Sequence, residues 1–218
     1  MAPNNSFKPN LLRYTSNMAD KACHVAGSAT QVGLTQALGP MSSYQAMTKS
    51  PKQFVAEALL PDYPPAIPLR KAHWAGLAFD RNRYSDLAPS EVWDALLHVH
   101  SARASEVAVI SYGDLNSENP PTFVRADRAA LMSYLHHDFR FTSDHYVFSP
   151  RHNWLCRLDQ DVTLISGETQ FMRQVVAHYG ELESVMDIMV DDFDPGPTDS
   201  AGLQRYLIDL TQEIRDGA

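Results

Sequence analysis

Apolar and polar positions alternate from His145 to Leu164, and the spacing then changes to a repeat of three and four. Tyr146 and Phe148 share one side of a strand. Trp154, Cys156 and Leu158 do so in a second, and Val162 and Leu164 in a third. Phe171, Met172, Val175, Val176 and Tyr179 form one helical stripe. Three short strands, a turn and a helix are predicted here, with the helix covering one face of an antiparallel sheet.

The same two periods organise the rest of the chain. Ser50-Pro51-Lys52-Gln53 has the order of a capping box with proline at the first helical position, and Phe54, Val55, Ala58 and Leu59 supply the stripe. Met18, Ala22 and Val25 fit an earlier helix that Gly39-Pro40 ends. Between Pro61 and Pro68 four of eight residues are proline, which forces an extended connection. That connection marks the expected boundary between a mostly helical segment, 1–65, which is either a separate lobe or part of the same domain, and an α+β core domain, 66–218. His73 to Phe79 reads as a strand. Ser90 is placed to cap a helix with Val92, Trp93, Leu96 and Leu97 inward. Glu106 to Tyr112 is a strand by its β-branched content, turned by Gly113-Asp114. Asp127 is placed to cap a helix that buries Leu131, Tyr134 and Leu135. Leu182, Val185, Met186, Met189, Val190 and Phe193 define an amphipathic helix. Leu203, Leu207, Leu210 and Ile214 define another, after the candidate caps Asp199 and Ser200. The fold class is α+β: a mainly antiparallel sheet covered by several helices, with an N-terminal helical segment.

Composition narrows the chemistry. A hydrophobic share of 44% and a charged share of 20% suit a globular protein with a packed core. The formal charge of −8 argues against nonspecific nucleic-acid binding, which needs a basic footprint, and is compatible with a basic protein partner. Two distant cysteines, Cys23 and Cys156, make neither a disulfide framework nor a zinc site. No apolar run approaches the roughly 18 residues of a membrane span. The chain does not open with a basic stretch followed by an apolar one, so the expected location is the cytoplasm.

No specific catalytic pattern stands in the sequence. Of the nine histidines, His98 and His100 lie about 200° apart on a helix and cannot clamp one metal from the same face. His137, Asp138, His145 and His152 would have to meet in space to form a composite site, without any spacing signature. No Gly-x-Ser-x-Gly elbow, Gly-x-Gly-x-x-Gly turn or Walker A loop is present. Asp191-Asp192-Phe193-Asp194 offers hard oxygens but lacks the twelve-residue calcium-loop pattern. No cofactor is expected.

The acidic stretch says more. Seven carboxylates fall between Glu181 and Asp199, and no Lys or Arg lies between Arg173 and Arg205. A solvated helix face accounts for this, and so does a surface shaped for a basic partner. Residues at the places of Tyr146 and Phe148, Trp154, Asp159 and Asp161, Gly167 and Phe171 give a second pointer. They follow the order of an aromatic strand, a tight turn, a strand opening with Trp, an acidic turn, a strand ending at Gly and a helix beginning near Phe. In this the stretch from His145 to Val176, about a sixth of the chain, resembles bacterial immunity proteins that neutralise polymorphic or contact-dependent toxins. The resemblance implies a non-enzymatic inhibitor that covers the basic active site of a cognate protein toxin, a nuclease. The residues expected to face that partner are Glu183, Asp187, Asp191, Asp192 and Asp194, with Arg151 and His152 of the neighbouring turn. The alternatives are a small His/Asp metal-dependent hydrolase and a non-catalytic structural subunit.

Overall fold

The computed structural model describes residues 47–60, 68–193 and 200–216. The chain divides into two units, Met1–Leu38 and Gly39–Ala218, and every described residue lies in the second. The early helix expected around Met18, the prolines from Pro61 to Pro65, and Asp194 and Asp199 fall outside the described residues.

Helix α1 (Pro51–Ala58) begins with the expected capping box: Ser50 Oγ accepts from Gln53 N–H, and the Gln53 side chain accepts from Ser50 N–H. Then follow β1 (Trp74–Asp80), α2 (Ser90–Ser101), β2 (Glu106–Ser111), α3 (Tyr112–Asn116), β3 (Thr122–Arg125), α4 (Arg128–His136), β4 (His145–Phe148), β5 (Trp154–Leu158), β6 (Val162–Glu168), α5 (Thr169–Tyr179), α6 (Leu182–Phe193) and α7 (Ser200–Arg215). The six strands form one antiparallel sheet in the order β1-β6-β5-β4-β2-β3, so the α+β class holds.

Several local readings change. Pro89, not Ser90, is the N-cap of α2, and the Ser90 hydroxyl turns to Glu91 instead. Gly113-Asp114 is not a simple turn. Ser111 Oγ accepts from Asp114 N–H and starts the one-turn helix α3. Strand β3 carries too short an alternation, behind Pro120-Pro121, to stand out in the sequence. Asp127 does cap α4, accepting from Ala130 N–H at 2.9 Å. Of the two options for the segment before residue 65, α1 takes the second: Phe54 packs on Trp74 and Phe148 with ring centroids 6.1 and 5.6 Å apart.

The larger revision concerns the sheet, which is buried on both faces. Phe148 opposes Leu155, and Val147 opposes Cys156. The register set by the turn between β4 and β5 therefore puts Tyr146 and Phe148 on one face, and Trp154, Cys156 and Leu158 on the other. The first face is covered by α1 through Phe54 and by α7. Leu210 of α7 comes so close to Gly76 that a Cβ there would lie 2.9 Å from it. The second face is covered by α2 and α5, with α4 packed against α2. Trp154 lies parallel to Phe171 of α5, at 6.1 Å and 8°, and edge-on to His100 of α2.

His100 is 1% exposed, and both its ring nitrogens are engaged. Trp154 Nε1–H donates to Nδ1 at 3.1 Å, and Nε2 lies 2.8 Å from Glu106 O. An indole can only donate and a carbonyl can only accept, so Nε2 carries the proton and the ring is neutral. Burial lowers the pKa of His100, and likewise of His145 and His152.

Three outcomes are expected from this packing. A histidine held neutral in the fold takes its proton first in the unfolded chain, near pH 6.5. Stability contributed by these rings is then complete above that value and lost as pH falls through it, at up to about 1.4 kcal/mol per pH unit for each ring. Denaturation midpoints between pH 7 and 5 should decline, and His100→Gln, whose amide can make both bonds uncharged, should decline less steeply. An equal slope in the two proteins would remove His100 from the account. Gly167 faces Trp154 across the β5–β6 pair, and a Cβ would sit 2.8 Å from Trp154 Cβ and 2.9 Å from Asn153 O. Gly167→Ala should cost about 1–3 kcal/mol by overpacking. Gly202→Ala, on α7 with open space around it, should stabilise by up to about 1 kcal/mol.

Candidate functional site

Helix α6 carries most of the residues singled out for binding. Its apolar side follows the expected spacing, with Val185, Met186 and Met189 buried and Leu182, Ile188, Val190 and Phe193 half-buried. The opposite side exposes Glu181, Glu183, Ser184, Asp187 and Asp191. Glu183, Asp187 and Asp191 recur every four residues, so they form one row along the helix. Arg83 approaches the end of the row, with Nη1 3.4 Å from Asp191 Oδ2. No ion pair involves Glu183 or Asp187 among the described residues.

Asp192 does not belong to that row. It is 4% exposed and points inward with Met189, one turn before it. Tyr84 Oη donates to Asp192 Oδ1 at 2.5 Å, and Arg83 Nη1 lies 4.0 Å from the same oxygen. Asp192 Oδ2 is buried without a full hydrogen bond. Burial raises the pKa of this carboxyl, against the opposing pull of Tyr84, the Asp80 N–H and Arg83. Tyr84 is raised in turn by its own burial and by Asp192.

The purpose of this inward carboxylate is visible on the neighbouring strand. β1 is an end strand and pairs only with β6. Its Ala78 N–H is directed at Met189 Sδ, 3.2 Å away, and two residues on, the Asp80 N–H faces Asp192. Residues two apart on a strand send their N–H groups the same way. Helix α6 thus covers the free edge of β1 with a thioether and a carboxylate, a way of blunting an edge that would otherwise pair with another chain. The signal was present in the sequence: Asp192 falls three residues after Met189 and seven after Val185, within the apolar stripe.

The turn between β4 and β5 divides its two candidates. Arg151 is exposed, whereas His152 is 8% exposed. His152 adopts a left-handed backbone, φ 59°, and stacks on Phe54 at 4.4 Å and 23°. It is part of the seat of α1, not of an outer surface, and its Nε2 is buried without a partner. The composite site of His137, Asp138, His145 and His152 does not assemble. His145 and Phe148 are opposite ends of β4, and His152 packs at the Phe148 end. His137 and Asp138 are exposed and pair with each other at 2.7 Å. Among the described residues no group of three or more His, Cys, Asp or Glu side chains could hold a metal ion. No described helix is long and apolar enough to cross a membrane.

No protein-family model, curated protein or solved structure matches this chain.

The placement of Asp192 can be checked by stability alone. A carboxyl whose folded pKa is raised carries a penalty while ionised. That penalty is present above the folded pKa and is relieved as pH falls through it towards the ordinary carboxylate range. Asp192→Asn keeps a carbonyl to accept from Tyr84 and removes the charge. It should be at least as stable as the parent at pH 7, and the difference should shrink in acid. A loss exceeding about 1 kcal/mol at pH 7 would show instead that the charge itself holds α6 in place.

Proposed function

We propose that this protein is an immunity protein, which binds a cognate protein toxin of the nuclease class and neutralises it by covering its basic active site. The observation that carries the reading is the outward row of Glu183, Asp187 and Asp191 on α6, with Arg83 approaching only its last member. A nuclease holds cations where it grips the phosphate backbone. A fixed row of carboxylates on a chain of net charge −8 would draw such a surface in from a distance and set its register. The row is held firmly, because the other side of the same helix closes the sheet edge through Met189 and Asp192. The likeness of His145–Val176 to immunity proteins supports the same reading. Glu183, Asp187 and Asp191 are the partner-facing residues on this account, joined by Arg151 on its exposed turn. Asp192 and His152 serve the fold.

The test is protection. Cells producing the toxin region encoded beside this protein should survive when it is co-expressed, and the purified pair should associate more slowly as salt rises. Glu183→Lys with Asp187→Lys should lower the association rate by about tenfold at low salt and flatten the salt dependence, while leaving the denaturation midpoint within about 0.5 kcal/mol of the parent. Protection that is absent with the parent protein would sink the proposal. An unchanged salt dependence in the double variant would remove the α6 row from it.

A further inference from the structure

A second group of polar side chains, apart from the α6 row, stands at the His145 end of β4. There Ser111 of β2 lies opposite His145 of β4. Together with Asp114, Thr122, Tyr134 and Arg140 they line a cavity of about 250 Å³, a little below the roughly 300–1,000 Å³ of most small-molecule sites.

His145 is 3% exposed. Its Nδ1 lies 2.9 Å from Ser143 O, an atom that only accepts, so the proton sits on Nδ1 and Nε2 presents a lone pair. Among the described residues Nε2 makes no hydrogen bond, and His145 is one of the residues that line the cavity. Burial lowers the pKa of the ring, helped by Arg81 and Arg140 and opposed by the bond to Ser143 O and by Asp114. The cavity therefore holds a fixed acceptor with no donor among the described residues.

Arg140 supplies the opposite character. Its guanidinium lies over the Tyr134 ring, 4.3 Å from the centroid, and Nη1 donates to Tyr134 O at 3.2 Å. Among the described residues one of its five N–H donors makes a hydrogen bond, and no ion pair involves Arg140. The chain takes two successive left-handed residues to bring it there, Asp138 at φ 54° and Phe139 at φ 56°. Each such non-glycine residue costs on the order of 1–3 kcal/mol.

Asp114 completes the set. It accepts from Ser111 Oγ at 2.6 Å and from Asn119 Nδ2 at 2.8 Å. Those bonds hold it well ionised and leave lone pairs on both oxygens. They also commit the Ser111 proton to Asp114, so Ser111 is not poised as a nucleophile for His145. A simple anion would meet Arg140 but be repelled by Asp114, and a simple cation would meet the reverse. A ligand with both charges satisfies the whole lining.

We propose that this cavity binds a small zwitterion, a free α-amino acid. Its carboxylate pairs with Arg140, and its ammonium donates to His145 Nε2 and Asp114. The volume limits the ligand to a small side chain. This inference is independent of toxin binding.

The test is calorimetric titration of the full chain with glycine, L-alanine and L-serine, and with acetate and ethylammonium as half-ligands. At least one amino acid should bind, and each half-ligand should bind at least about tenfold more weakly. Arg140→Gln, at a half-exposed position, should weaken binding by about tenfold or more with an unchanged circular dichroism spectrum. His145→Gln should do the same, and Arg151→Gln, on the distant turn, should change nothing. Absence of heat with every amino acid at about 10 mM, weaker than any useful affinity, would overturn the proposal. So would acetate binding as tightly as glycine, which would mark a plain anion site, or full affinity in Arg140→Gln.

Discussion

The structure turns on what a buried tryptophan requires. Trp154 sits in the middle strand region with no exposure, and its indole N–H must find an acceptor or cost about 1–3 kcal/mol. The acceptor is the lone pair of His100, which exists only while that ring is neutral. The proton on the far nitrogen of His100 goes to the backbone of Glu106. One indole therefore fixes the tautomer of a histidine and ties β5 to α2, and α2 to the start of β2. The flat side of the same indole seats Phe171 and with it α5. Its Cβ leaves no room opposite, so β6 carries glycine at 167.

With the sheet's second face so fixed, the remaining problem is its edges. Covering both faces still leaves the N–H groups of β1 pointing outward, and α6 meets them. A helix offers no backbone donors or acceptors sideways, so side chains must do it. Met189 offers a weak acceptor and Asp192 a strong one. The second choice places a carboxylate where burial opposes its charge, and Tyr84 and Arg83 offset part of that penalty. The two faces of α6 thus hold acids for opposite reasons. Asp192 is inside because an edge strand needs an acceptor, and Glu183 and Asp187 are outside because water solvates them.

Much of this was legible in the sequence. Helical spacing located α1, α5, α6 and α7, and the capping box of Ser50 and the cap of Asp127 marked two starts. Alternation located β4, β5 and β6 but not their shared orientation. Period two says which residues of one strand agree, and only the register between strands says which faces they reach. Tyr146 and Trp154 looked alike for that reason and lie on opposite faces. The buried histidines were hidden differently. His100 invites a reading as a metal ligand with His98, although it stands seven residues after Trp93 and four after Leu96, on the buried stripe. Asp192 was counted by its charge when its spacing placed it inward. In each case the residue type suggested chemistry, while its position along the element decided the role.

Position also separates the polar residues that serve the fold from those left over. His100 has both nitrogens occupied, His152 is stacked under α1, and Asp192 faces Tyr84 and the β1 edge. Among the described residues His145 and Arg140 keep hydrogen-bonding capacity of another kind, on a cavity wall. His145 Nε2 and the free donors of Arg140 share one cavity, and two left-handed residues precede the arginine. A chain that needed only to reverse direction after α4 could place glycine there and avoid the strain. Keeping Asp138 and Phe139 in that conformation makes sense if the position of Arg140 matters more than the ease of the turn. The strain is then better explained by what Arg140 faces than by what it packs against.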